Sequence, residues 1–143
     1  MNSFEKYEKY LDKNTIVIGH SLGCAFLLNV LEKANKPVKS AFLVAGFVSA
    51  INNPKLDAIN RSFWDKKFDW KKIKSNCRNF IVYHSDNDPY VSLEKGNELA
   101  EQLGSSLKII KNAGHFNKNS GYLKFDMLLE DVKNTLQNYK KSI

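Results

Sequence analysis

Thr15-Ile16-Val17-Ile18-Gly19-His20-Ser21-Leu22-Gly23 decides the reading of this chain. A β-branched apolar run breaks there into Gly-x-Ser-x-Gly and resumes as Cys24-Ala25-Phe26-Leu27-Leu28-Asn29-Val30-Leu31. A short buried strand that feeds a helix through glycines predicts a nucleophile elbow. In so tight a turn, side chains two residues either side of the serine would collide, which accounts for Gly19 and Gly23. Ser21 is then the candidate nucleophile, held out beyond the strand end, and the backbone amide of Leu22 at the helix start is the candidate oxyanion donor. A serine between two glycines also occurs in plain turns; the strand before and the helix after favour the elbow.

Outward from the elbow the chain alternates. Phe4, Tyr7, Tyr10 and Leu11 recur at spacings near three and four, so residues 3–12 read as an amphipathic helix. After the elbow, a helix over 22–34 stops before Pro37, and Ser40-Ala41-Phe42-Leu43-Val44-Ala45 is a continuously apolar second strand. Helix between two such strands predicts a right-handed βαβ unit. Asn53 and Pro54 open a short helix to about residue 60, and residues 70–74 form a further turn. Phe63, Trp64, Phe68 and Trp70 lie between them among lysines. Those rings either line a site or cover a core, and packing is the favoured reading. A third strand at 80–84, a helix capped by Ser92 and stopped by Gly104, a fourth strand at 107–110 and a final helix over 122–139 complete the pattern. It predicts one α/β domain over residues 1–143, with a short parallel sheet of about four strands.

Bulk properties narrow the function. The 143 residues carry 22 basic and 15 acidic side chains, a net charge of +7, but the lysines are scattered and no nucleic-acid motif accompanies them. No nucleic-acid partner is expected. Cys24 and Cys77 have no metal-ligand spacing and suggest neither a disulfide framework nor a zinc site, which suits a reducing cytoplasm. The charged N-terminal stretch does not read as a signal peptide, and no apolar run approaches a membrane span.

A serine hydroxyl needs a base, and the base needs a carboxylate that fixes its tautomer and stabilises its cation. Ser21 follows the first predicted strand, Asp86 and Asp88 the third, and His115 the fourth. In a parallel sheet these ends share one edge, and the chain order Ser, Asp, His is the one used on this scaffold. His20 and His84 are rival bases. His20 lies within the elbow and is expected to point away from Ser21, and His84 ends the strand that supplies the acid, so His115 ranks first.

Gly19-His20-Ser21-Leu22-Gly23, Phe68-Asp69-Trp70-Lys71-Lys72-Ile73, Ser85-Asp86-Asn87-Asp88-Pro89-Tyr90-Val91 and Gly114-His115-Phe116 together resemble the small α/β-hydrolases of the retinoblastoma-binding protein 9 type. The resemblance implies a three-layer α/β-hydrolase-like fold and a serine hydrolase acting on small esters or amides, with no metal and no organic cofactor. It assigns the acid to Asp88, directly before the proline, the nucleophile to Ser21 and the base to His115. Asp86 is left to support the acid loop. Members of that family carry further strands and an oxyanion loop ahead of the elbow, so the chain is expected to be N-terminally truncated relative to them. Two expectations follow: an oxyanion hole short of one donor, and a first strand exposed at the sheet edge, open to a second copy or a partner chain. The alternative function is a catalytically inactive interaction module on the same fold.

Overall fold

The structure is a computed structural model that describes residue 4 and residues 6–140. In chain order its elements are β1 (Ile16–His20), α1 (Leu22–Lys33), β2 (Ser40–Val44), α2 (Pro54–Trp64), α3 (Trp70–Ser75), β3 (Phe80–Ser85), α4 (Leu93–Leu103), β4 (Leu107–Ile110) and α5 (Asp126–Lys140). The four strands are parallel and stand in the order β1-β2-β3-β4. Each crossover therefore advances one strand in the same direction. Right-handed crossovers of that kind put the intervening helices on one face of the sheet.

Strand alternation sorts the core into two layers. Ala41, Leu43 and Val82 face one way and pack with Leu28 and Leu31 of α1, Ile73 of α3, and Leu99 and Leu103 of α4. Phe42, Val44 and Tyr83 face the other way, against Phe125 and against Leu128 and Val132 of α5. β2 is buried along its whole length, which explains its unbroken apolar sequence. Asn76, buried among these side chains, donates to the carbonyls of Leu31 and Ala34 at 2.8 Å each and so satisfies the C-terminal end of α1.

Several local expectations change. In place of a helix over 3–12 the described residues hold a 3-10 turn at Glu8–Tyr10, and residues 3 and 5 of that expectation lie outside them. Tyr7 and Tyr10 are 50% and 66% exposed and only Leu11 is buried, so the spacing carries no continuous buried face. Thr15 Oγ1 bonds to Tyr10 O and Asp12 Oδ1 and turns the chain into β1 instead. The last helix begins at Asp126, because Tyr122 and Phe125 sit in a loop with their rings 5.1 and 5.2 Å from Phe116. Ser92 occupies the N-cap position of α4 without a side-chain cap bond. The favoured packing role holds for Phe68, which is buried, with Trp70 at 5.1 Å, and for Phe63, which meets Phe26 at 6.4 Å.

Candidate active site

Ser21 stands between the end of β1 and the start of α1. Its φ of 54° lies in the left-handed region, which costs a non-glycine residue about 1–3 kcal/mol and persists only where neighbours over-determine it. Its amide donates to Val44 O at 2.9 Å, carrying the β1–β2 ladder into the turn. Its side chain makes no cap bond, which leaves the hydroxyl free for other work. Leu22 is the first residue of α1, so its amide has no acceptor within the helix and sits at the positive end of the helix dipole. Close approach accounts for Gly19, where a Cβ would lie 2.9 Å from Leu27 Cδ1 and 3.0 Å from the Cys24 amide. It does not account for Gly23, around which a Cβ would meet nothing within 4 Å.

Asp88 and His115 meet. The His115 ring and Asp88 Oδ2 are 2.8 Å apart through Nδ1, which fixes Nδ1 as the protonated nitrogen and leaves Nε2 as the basic one. Asp88 Oδ1 accepts from the amides of Tyr90 and Val91 at 2.9 and 3.0 Å. Its side chain is fully buried. Burial alone would raise its pKa, but the His115 ring and these two amides outweigh it and hold the carboxyl below its usual range. His115 is 8% exposed, with the Tyr90 ring edge-on at 5.1 Å.

Neither rival histidine pairs with Asp88 as closely as His115 does. His84 is fully buried, its Nε2 donates to Val91 O at 2.9 Å, and burial pushes its pKa down. It supports the turn that carries Asp88. His20 differs from expectation: it faces the site, with its ring 4.7 Å from that of His115 and its Nε2 donating to His115 O at 2.8 Å. Asp86 does more than support its own loop, since its Oδ1 accepts from the Asn112 amide across the gap to the histidine loop. Ser85 and Asn87 reach the same loop and were not legible as site residues, because Ser and Asn beside a proline turn read as turn chemistry. Among the described residues no hydrogen bond joins Ser21 Oγ to the His115 ring, a contact that commonly tightens only with substrate bound.

Other features lie away from this edge. A cavity of about 370 Å³ bordered by Lys74, Arg78 and Ser105 sits at the N-terminal ends of β3 and β4. The carboxyl ends of α3 and α4 converge there and Lys74 is engaged with Gln102 O at 3.3 Å, so it reads as a capped helix junction. Cys24 and Cys77 are free and buried, with burial pushing their thiols up to about 12 and about 11. No described residues form a group of three or more His, Cys, Asp or Glu arranged for a metal ion. No helix among them is long and apolar enough to cross a membrane.

A parallel sheet with a strained serine after β1, an acid after β3 and a histidine after β4 defines an α/β-hydrolase, and the solved structures agree. The ydeN gene product of Bacillus subtilis superposes with a TM-score of 0.88 at 25% identity, covering 95% of this chain and 73% of that one. An alpha/beta hydrolase enzyme from a sediment metagenome of the Mar Chica lagoon, Morocco, shares the fold alone, with a TM-score of 0.57 at 16% identity over 95% of this chain and 67% of its own. The chain belongs to the Serine hydrolase family, whose model matches residues 1–134. Serine hydrolase RBBP9 of Rattus norvegicus is 29% identical over 93% of this chain and 67% of its own length; YdeN of Bacillus subtilis strain 168 is 29% identical over 85% and 64%. The chain thus spans about two thirds of the length of the curated relatives it matches.

Proposed function

We propose that this chain performs acyl transfer to water on small esters or amides, as a carboxylesterase- or amidase-type hydrolase, through a triad of Ser21, His115 and Asp88. The observation that carries the reading is the buried His115–Asp88 pair, 2.8 Å apart, on the sheet edge where Ser21 follows β1. His115 Nε2 takes the proton of Ser21 Oγ as that oxygen attacks the carbonyl, and Asp88 stabilises the imidazolium. The Leu22 amide receives the oxyanion. His115 then protonates the leaving group, and water reverses the sequence to free the acid. Each oxyanion donor is worth about 10²–10³ in kcat. The chemistry calls for no cofactor, and the two free thiols suit a cytoplasmic setting. The test is hydrolysis of a short-chain activated ester. Ser21→Ala is expected to abolish turnover at an unchanged melting temperature; undiminished turnover in that variant would remove the reading.

A second reading, an interaction module, draws on β1. Among the described residues it pairs with β2 alone and exposes 53% of Ile18, an edge suited to a second copy of the chain. Concentration-dependent dimerisation lost in Ile18→Lys would favour it. A monomer at all concentrations with full esterase turnover would exclude it.

A further inference from the structure

Three consecutive side chains ahead of Asp88 receive three consecutive amides ahead of His115. Asp86 Oδ1 accepts from Asn112 at 2.8 Å, Ser85 Oγ from Ala113 at 3.0 Å and Asn87 Oδ1 from Gly114 at 2.8 Å. The Ser85 hydroxyl also donates to Asn87 Oδ1 at 2.7 Å. One carboxamide oxygen therefore takes two bonds, and only the oxygen can accept both, which orients the side chain. Ser85 is fully buried and Ala113 1% exposed, so the central bond lies out of water, where an orphaned amide is costly.

The histidine loop needs such a hold. Asn112 and Gly114 both lie in the left-handed region, at φ 57° and 53°. A Cβ at Gly114 would stand 2.4 Å from Ser120 Oγ, the same hydroxyl that accepts from the His115 amide at 3.2 Å. The β3–β4 register runs to Ser85 opposite Ile110, and the side-chain bonds begin where that ladder stops. Asp88 directly follows Asn87, and His115 directly follows Gly114. The backbone match therefore sets the separation of carboxylate and ring one residue later.

We propose that Ser85 and Asn87 are positioning residues that lock the acid loop to the histidine loop and thereby fix the His115 ring on Asp88. The inference rests on the triad reading above, and its test keeps the two separable. The measurement is the proton NMR signal of the His115 ring N–H held by Asp88, identified by its loss in His115→Ala, together with ester hydrolysis. Ser85→Ala and Asn87→Leu are expected to lose or broaden that signal. They are also expected to lower kcat about 10²-fold, the scale of a misplacement near 1 Å. KM is expected to stay within about threefold, since substrate binding is not what they touch. Asn87→Asp keeps the acceptor oxygen and is expected to retain the signal and recover turnover. If Asn87→Leu does not fold, Ser85→Ala, which removes a single oxygen, decides the matter. An undisturbed signal and kcat in Ser85→Ala would overturn the proposal. A signal lost in these variants, in a protein whose wild type hydrolyses nothing, would uphold the lock and reject the hydrolase.

Discussion

The Nε2–H of His20 donates to the carbonyl oxygen of His115 at 2.8 Å, so the residue before Ser21 grips the backbone of His115. With the rings 4.7 Å apart, the contact spans the gap between the ends of β1 and β4, which are not neighbours in the sheet. A neutral hydrogen bond of this kind is worth about 0.5–1.5 kcal/mol. His20→Ala is therefore expected to lower kcat/KM by up to about tenfold, measured on an activated ester, with the fold intact.

Gly96 lies in the middle of α4 because His84 fills the space above it. A Cβ there would sit 2.6 Å from His84 Nδ1. An exposed helix glycine replaced by alanine gains about 1 kcal/mol. Gly96→Ala is expected instead to lose about 1–3 kcal/mol by overpacking, read by urea denaturation.

The two elbow glycines are expected to behave differently. Gly19→Ala forces its Cβ against Leu27 and the Cys24 backbone and should destabilise the protein. Gly23 lies inside α1 with open space where its side chain would be. Gly23→Ala should hold or raise stability, by up to about 1 kcal/mol. Calorimetry of the two variants side by side reads the difference.

Acid should destabilise the fold in two steps. Burial lowers the His84 pKa below its ordinary 6.5, so the unfolded chain binds a proton that the folded one excludes. Stability is then lost as pH falls below about 6.5 towards the folded value. The His84 Nδ1 is buried without a partner, so protonation would place an unpaired N–H there. Asp88, held below its ordinary 3.8, contributes stability that is full above that value and lost as pH falls through the lowered one. Melting temperature against pH should show both slopes, and His84→Gln should flatten the first alone.

Much of this architecture was legible in the chain because its signals are local. The β-branched run before Gly19 and the apolar helix after Gly23 identify β1 and α1, and the strand ends give the order Ser21, then Asp86 or Asp88, then His115, with the choice of Asp88 coming from the family resemblance. What was not legible depends on partners distant in sequence. Ser85 and Asn87 have the composition of any turn, and their bonds run to amides 27 or 28 residues away. The orientation of His20 is set by a carbonyl 95 residues on. Periodicity misplaced the start of α5 because Tyr122 and Phe125 continue its apolar spacing while packing from a loop on Phe116. At the N-terminus it counted Tyr7 and Tyr10 as apolar, though both face solvent.

In the proposed triad His115, held by Asp88, activates Ser21. Intact-mass analysis after incubation with a fluorophosphonate tests it most directly, because the reagent bonds to an activated serine oxygen without requiring turnover. One adduct is expected on the wild-type chain, absent in Ser21→Ala and in His115→Ala. No adduct on the folded wild-type protein, or an adduct that survives Ser21→Ala, would contradict it.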